Sequence, residues 1–458
     1  MSIIQIADND YKGVSINNDD TENIKQFANK KIKYLKENNL FILSKNSFKD
    51  DIENSAIIEF DEVNNKIYSG NIMGFIGYND TQIKITSRFA SEDEDYFLHY
   101  MLQKVLCLNI FDFKHSTNKE DSFDFLIYMF LDLFQKAIRQ GIYKSYQRRE
   151  YNDANVRGAI DINRHIKNNI PFNGKVAYKT REYSYDNNIT QLIRHTIEYI
   201  NTKSKGILNI AKEEVKNSIS QMIEATSSYD KNKRQNIINK NLKKLNHPYF
   251  YEYEPLRKIC VQILRHEEIK YGREENKIYG VLFDGAYLWE EYIWTILQEI
   301  KDFGFKHPEN KKGKGWINLL KDNKKSWKIF PDFYSNDKKI VLDTKYKRLN
   351  KKLKNKNNDK EKNIEIEDRF QIISYIYTLG AKIGAFVYPL QETKERLKNC
   401  CSYIGELNNS KNNGILEASI YKYGFLIPNE NVNNIKEFSN KIKTSEGKFK
   451  KKIKDEFQ

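Results

Sequence analysis

The segment that most restricts the fold of this chain is Trp327 to Lys347, WKIFPDFYSNDKKIVLDTKYK. Ile329 to Tyr334 reads as one strand, Ser335-Asn336-Asp337-Lys338 as a turn, and Ile340 to Lys345 as the returning strand. Helical patterns lie on either side: Leu282 to Ile300 (LFDGAYLWEEYIWTILQEI) before it and Asp368 to Leu379 (DRFQIISYIYTL) after it. Ile383 to Tyr388 (IGAFVY) then reads as a buried strand closed by Pro389. The order is α-β-β-α-β, with room for a further strand in 303–320. Such an alternation predicts a mixed sheet flanked by helices.

The first hundred residues carry a different pattern. Ala56 to Asp61 (AIIEFD), Lys66 to Ser69 and Thr81 to Arg88 (TQIKITSR) alternate with the period of half-buried strands, and Gly70, Gly74 and Gly77 punctuate them. From Asp95 the period lengthens: DYFLHYMLQKVL and DFLIYMFLDLFQKAIRQG place apolar residues at helical spacing, with Gly141 as a C-cap. A polar, basic stretch, Tyr146 to Asn155, leads on to the helix signal in TREYSYDNNITQLIRHTIEYI, capped by Asn188 or Thr190. Helical pattern continues over Ile210 to Leu245 and over Pro255 to Lys270. The chain is therefore expected to be a multidomain α/β protein. A β-rich and helical domain would occupy 1–150, a mainly helical middle module 151–275, and the hairpin-bearing domain 276–458. Two basic low-complexity blocks, 347–363 and the tail from Lys441 to Lys454, are expected to be solvated.

Composition narrows the class. Among 458 residues, 77 Lys and Arg stand against 62 Asp and Glu, a net charge of +15, and a hydrophobic share of 39% excludes wholesale disorder. The positive excess favours a polyanionic partner through counterion release. The bland alternative is a background composition rich in Lys and Asn. Cys107, Cys260, Cys400 and Cys401 neither make a disulfide framework nor show zinc-finger spacing. The histidines carry no H-E-x-x-H pattern, and no G-x-S-x-G elbow occurs. The first residues lack the basic start and apolar core of a signal peptide. The most apolar run, Phe123 to Phe134, is broken by Asp124 and Asp132 and is too short for a bilayer, so a cytoplasmic protein is expected.

Chemistry concentrates in the hairpin. Period two places Asp343 and Lys345 on one face of the second strand, and the turn brings Asp332, just after Pro331, beside Asp343. Charges that follow the apolar run Ile340-Val341-Leu342 destabilise a strand unless they have a task. Metal-assisted phosphodiester hydrolysis supplies one. Hard Mg²⁺, with Mn²⁺ as a substitute, takes oxygen ligands from two converging carboxylates. A Lys two residues on orients the attacking water and stabilises charge on the phosphate. The plain alternative is a surface hairpin with a cross-strand ion pair. Glu290 and Glu291 lie on the preceding helix, and Gln371 and Tyr375 share a face of the following one at i, i+4.

The pattern P-D-x₁₀-D-x-K resembles that of the PD-(D/E)xK nuclease superfamily. The resemblance implies a nuclease core within 276–458 in which Asp332 and Asp343 bind the metal and Lys345 acts on the water. It also implies a further carboxylate ligand, Glu290 or else Glu291, and a Gln371 that orients backbone or water. More narrowly, LWEEY, PDF, LDTKYK and the D-x-x-Q-x-x-x-Y helix resemble McrC, the nuclease subunit of McrBC-type modification-dependent restriction systems. MGFIGYNDTQIKITSRF, VRGAID and TREYSYDNNITQLIRHTI resemble the N-terminal and middle regions of that family. The Lys/Asn insertion after Lys347 and the basic tail depart from its pattern. The family implies double-stranded DNA as substrate, no membrane, and a partner: an McrB-like AAA+ GTPase that binds the NTP and is stimulated through the non-nuclease portion. This chain has no G-x-x-x-x-G-K-[ST] phosphate loop, and Lys311 to Trp316 (KKGKGW) lacks its spacing and its Ser or Thr.

Arg148 or Arg149 could serve a partner's nucleotide site as an arginine finger. His165 and His195 follow arginines and invite either packing or phosphate contact. A second reading of the whole chain is a catalytically inert, DNA-binding adaptor that regulates an AAA+ NTPase. The intact D…D-x-K set is what separates it from the first.

Overall fold

The computed structural model describes residues 2–37, 40–43, 56–90, 95–105, 121–203, 213–270, 278–308, 317–321, 326–348, 352–353, 360–361, 365–391, 401–407, 417–429, 432 and 434–457. Most of the 347–363 block lies outside the described residues, as do Lys311 to Trp316, Cys107 and Cys400. The chain is a mixed α/β protein whose residues group into two units. Met1–Asn38, Ile42–Phe111 and Gly280–Gln458 form the first, so the first hundred residues fold with the C-terminal third; Asn39–Phe41 and Asp112–Tyr279 form the second.

In the first unit, Pro331 divides the strand expected over Ile329 to Tyr334. Ser326–Ile329 pairs with Ile317–Lys321, the further strand expected in 303–320, and only Phe333–Tyr334 pairs with Ile340–Thr344. A proline has no N–H to give a ladder, so the chain leaves the sheet there and Asp332 sits at the break.

Ile340–Thr344 belongs to a five-stranded sheet in the order Phe333–Tyr334, Ile340–Thr344, Ile383–Gln391, Ala418–Ile427, Cys401–Leu407. Its two inner pairings are parallel and its two outer ones antiparallel. Ile383–Gln391 passes through Pro389, where a stop was expected. Val387 O accepts from Lys345 N, and Pro389 has the same parity. The missing N–H therefore faces the side on which the neighbouring strand has already ended.

Helices cover both faces. On one, Ile372, Tyr375 and Ile376 of Ile366–Leu379 pack with Val341, Phe386 and Tyr388. On the other, Trp289 and Tyr292 of Gly285–Leu297 and Phe449 of Ile435–Phe457 close around Phe425. Leu282 to Asp284, expected as helix, end the strand Ile278–Asp284 instead. Asp284 Oδ1 accepts from the N–H groups of Ala286 and Tyr287 and so starts the helix at Gly285. The basic tail is not a solvated block. It lies within the helix Ile435–Phe457, whose Phe438, Ile442, Phe449, Ile453 and Phe457 are buried behind the lysines at helical spacing.

A second five-stranded sheet runs Ser2–Ala7, Thr81–Thr86, Ile72–Tyr78, Ile278–Asp284, Phe41–Leu43. Ser2–Ala7 is parallel to Thr81–Thr86, which forms a hairpin with Ile72–Tyr78 across Asn79, at φ 50°. The expected strands Ile58–Asp61 and Lys66–Ser69 pair with each other beside Val14–Ser15.

The second unit carries the expected helices, including Asn188–Lys203 and Tyr253–Lys270. The cap of the former is Asn187, not Asn188 or Thr190. Asn187 Oδ1 accepts from Ile189 and Thr190 N–H, while Thr190 Oγ1 accepts from Asn187 N–H. The unit also contains an antiparallel sheet of Ser145–Asp153, Val176–Ser184 and Ala159–Ile160, so it is not simply helical. No residue of Ser145–Asp153 is buried, and a strand wet on both faces shows no apolar alternation to read. Among the described residues, no helix is long and apolar enough to cross a membrane.

Candidate functional site

Val341 and Asp343 share the sheet face covered by Ile366–Leu379, and Lys345 continues that face as the strand ends. Asp343 is only 2% exposed. Lys345 Nζ lies 2.7 Å from Asp343 Oδ2, 2.9 Å from Gln371 Oε1 and 3.2 Å from Asp368 Oδ1. Gln371 is held in turn: its Nε2 donates to the Tyr375 hydroxyl at 2.6 Å, which donates to Phe330 O at 2.9 Å. Asp332 reaches the strand edge from the break at Pro331, and its Oδ2 accepts from both the N–H and the Oγ1 of Thr344 at 2.7 Å. Asp332, Asp343, Lys345 and Gln371 thus meet in one place.

The electrostatics of the cluster are strained in a particular direction. Burial raises the Asp343 carboxyl to about 7, the Asp332 charge pushes the same way, and Lys345 opposes both. Burial works against the charge on Lys345, yet Asp343, Asp368 and Asp332 outweigh it and hold its pKa above the ordinary lysine value. Lys347 joins the group, 2.7 Å from Glu365 Oε2 and 2.9 Å from Asp368 Oδ2. Four carboxylates therefore surround two ammonium groups, and the balance is negative.

This donor set fits a hard divalent cation. The Lys345 ammonium pairs with the buried Asp343 Oδ2 at 2.7 Å, and a carboxylate has further lone pairs to give a cation. No group of three or more His, Cys, Asp or Glu side chains converges as a metal cage among the described residues. An ion here would rest on Asp332 and Asp343 and complete its shell with water and phosphate oxygens.

Glu290 and Glu291 stand around His307. Its Nε2 is 3.7 Å from Glu290 Oε1 and 3.5 Å from Glu291 Oε1, while its Nδ1–H donates to Asp332 O at 2.9 Å. Burial opposes protonation of His307, but Glu291, the Asp332 carbonyl and Glu290 together raise its pKa. No motif in the sequence marks this histidine, because nothing local links it to Asp332. Asp368 was overlooked. Its spacing three residues before Gln371, on one helix face, was the available signal.

The remaining candidates separate cleanly. Arg149 lies on the exposed strand Ser145–Asp153, 3.6 Å from Glu182. His165 Nδ1 accepts from Ala177 N–H and anchors local backbone. Burial pushes the Cys260 thiol up to about 12, which marks a packing residue. His195 is 0% exposed, which places it in the core, and its ring centre lies 4.6 Å from that of Tyr229.

Burial, with Arg234 adding to it, lowers His195 from 6.5 to about 4. A base depressed in the folded state contributes stability that is present above its ordinary pKa and lost as the pH falls toward the folded one. Thermal melts are therefore expected to show the second unit weakening by about 2 kcal/mol on acidification through this window. His195→Leu should flatten that dependence, and unchanged parallel pH curves would remove His195 as its cause.

A family model described as "McrBC 5-methylcytosine restriction system component" matches residues 67–389. No curated protein sequence matches the chain. A solved half-complex from a tetradecameric assembly of Thermococcus gammatolerans McrB AAA+ hexamers with bound McrC is similar in fold. It aligns over 98% of this chain and 100% of that one, at 14% identity and a TM-score of 0.50. A cryo-EM structure of the McrBC complex from the same organism aligns over 65% of this chain and 88% of that one, at 13% identity and a TM-score of 0.34. The family match spans more than half of the sequence, strand hairpin and flanking helices included, and on it this chain belongs to the McrBC 5-methylcytosine restriction system component family.

Proposed function

We propose that this chain is the Mg²⁺-dependent DNA endonuclease subunit of a two-component restriction system. It would act with an McrB-like AAA+ GTPase that binds the nucleotide and that it stimulates. The observation that carries the reading is the meeting of Asp332, Lys345 and Gln371 around the buried carboxylate of Asp343. An ordinary surface ion pair does not account for it, since Asp343 is kept where its own charge is disfavoured. The mixed sheet with helices on both faces supports a PD-(D/E)xK core within 276–458. The McrB AAA+ hexamers that accompany McrC in the similar Thermococcus assembly support an AAA+ partner.

The chemistry follows from the geometry. Asp332 and Asp343 would hold a divalent ion, which would supply Lewis-acid polarisation of the scissile phosphate. Thr344 fixes the Asp332 carboxylate with two hydrogen bonds, both to Oδ2, which leaves Oδ1 as the oxygen to meet a cation. Lys345, steadied by Gln371 and Asp368, orients the attacking water and faces the charge developing on the phosphate oxygens. Tyr375 locks the Gln371 amide in the sense that presents Oε1 to Lys345. Glu290 acts at one remove, through His307 and the Asp332 backbone, and Glu291 stands equally near.

Metal binding tests the reading before cleavage does. Mg²⁺ or Mn²⁺ at about 100 times Kd is expected to stabilise the wild-type chain by about 2.7 kcal/mol, seen as a raised Tm. Asp332→Ala should show no rise. Equal shifts in both proteins would take Asp332 out of the site. No shift, together with no cleavage beside the AAA+ partner, would favour the inert adaptor.

A further inference from the structure

We propose that Tyr346 and Arg88 are positioning residues that set the working geometry of Lys345; the inference rests on the nuclease reading above. Lys345, Tyr346 and Lys347 leave the sheet together, and alternation turns their side chains to opposite sides. Lys345 and Lys347 both turn to Asp368, at 3.2 Å and 2.9 Å. Tyr346 turns the other way, and its ring is 6% exposed.

That ring is held on every side by the N-terminal part of the unit. Its hydroxyl is 2.7 Å from Ser87 Oγ and 3.4 Å from Met73 Sδ. The Arg88 guanidinium lies over the ring, 5.0 Å from its centre, and Phe89 meets it edge-on at 5.3 Å. Arg88 Nη1 also donates to the Tyr346 carbonyl at 3.4 Å. Gly285 leaves room for the ring, since a Cβ there would lie 2.8 Å from Tyr346 Cε1.

Arg88 is itself immobilised. Its Nε donates to Asp8 Oδ2 at 2.9 Å, its Nη2 donates to the same oxygen and to Asn71 Oδ1, each at 2.5 Å, and its backbone N–H donates to Asp8 Oδ1. The Asp8 carboxylate is fully buried, so the pair has one geometry and little freedom. A two-pronged grip on the residue next to Lys345, through both ring and carbonyl, fixes where the strand ends. Beyond Thr344, Lys345 N–H donates to Val387 O at 2.9 Å and prolongs the ladder by one bond, and the side chain's aim is left to the grip on either side. The N-terminal sheet, on this view, is part of the cutting machinery without touching DNA or metal.

The test uses the full chain with its AAA+ partner, Mg²⁺, GTP and plasmid DNA. Tyr346→Ala is expected to lower kcat about 10- to 100-fold with the KM for DNA unchanged, as a sub-ångström to ångström misplacement of the ammonium implies. Arg88→Met should do the same. Tyr346→Phe keeps the ring between Arg88 and Phe89 and is expected to recover most of the rate. A variant that merely destabilises, Ile453→Ala in the C-terminal helix, provides a match in Tm and should keep full kcat. Wild-type activity with an unchanged kcat in Tyr346→Ala and Arg88→Met would overturn the proposal alone. So would a fall in kcat that the matched control shares. A wild-type complex that never cuts would overturn the nuclease reading, and the proposal with it.

Discussion

Asp343→Asn is expected to abolish DNA cleavage while leaving the Tm of the chain unchanged or higher. The two effects have one cause. The Asp343 carboxylate is buried beside Asp332, and both burial and that neighbour disfavour its charge. An amide of the same shape removes the desolvated charge and its repulsion from Asp332, which offsets the loss of the Lys345 ion pair, an ammonium that Asp368 still holds, so the net change stays within about 1 kcal/mol of zero or in favour of the folded state. Because the folded-state pKa near 7 lies above the ordinary 3.8, the carboxylate costs stability as the pH rises through that interval. The advantage of the amide should therefore grow from acid to neutral pH and then level off. Cleavage should fall by about 10³-fold or more, since a neutral amide is a poor ligand for a hard cation. Lys345→Ala should cut the rate by about 10²- to 10³-fold, but with a lowered Tm, because Asp343 and Asp368 each lose a partner. Rates of cleavage by the complex and melting curves of the chain decide the matter. Undiminished cutting by both variants would exclude the hairpin as the active site.

The part of this site that the sequence exposes is the part written locally. Asp343 and Lys345 are two apart on a strand, and alternation alone puts them on one face. Gln371 and Tyr375 are four apart on a helix, and the structure finds them hydrogen-bonded to each other. His307 was not legible in that way, and for Asp368 the sequence shows only that it shares a helix face with Gln371, not what it meets. One joins a loop to the backbone of Asp332, the other a helix to the ends of two lysines, and such contacts exist only once the sheet is assembled. Tyr346 was hidden for a related reason, since its partners Ser87 and Arg88 lie at the other end of the chain. The fold shows the same division. Half-buried strands such as Ile58–Asp61 and Lys66–Ser69 were read from their period, whereas Ser145–Asp153, wet on both faces, has none. The tail helix was masked by its lysines, which conceal the buried stripe from Phe438 to Phe457 when the segment is judged by charge. Pro331 and Pro389 divide on a point that composition does not carry. The first falls where a ladder would need its N–H, the second where the neighbouring strand has ended.

Gly74→Ala is expected to destabilise the chain by about 3–5 kcal/mol, more than any single surface change, through two effects that add. Gly74 has φ +121°, a conformation that L side chains resist, and a Cβ there would lie 2.2 Å from Val281 O. Gly280, on the facing strand, has φ +147° and the reciprocal problem, with Phe75 O at 2.3 Å from its would-be Cβ. The obstructing atoms are backbone carbonyls in a sheet, which cannot swing aside as a side-chain tip can. The strands Ile72–Tyr78 and Ile278–Asp284 approach this closely because both residues lack a Cβ. The contact also matters for the site: Met73 reaches the Tyr346 hydroxyl, and Asp284 caps the helix that carries Glu290. Gly141→Ala supplies the control. Gly141 has φ +88° but nothing within 4 Å of a Cβ, so it isolates the cost of the backbone conformation, about 1 kcal/mol. In denaturant melts the Gly74 and Gly280 variants should each fall well below the Gly141 variant. If all three lost the same stability, the close approach would contribute nothing, and the join between those two strands would have to be explained by side-chain packing alone.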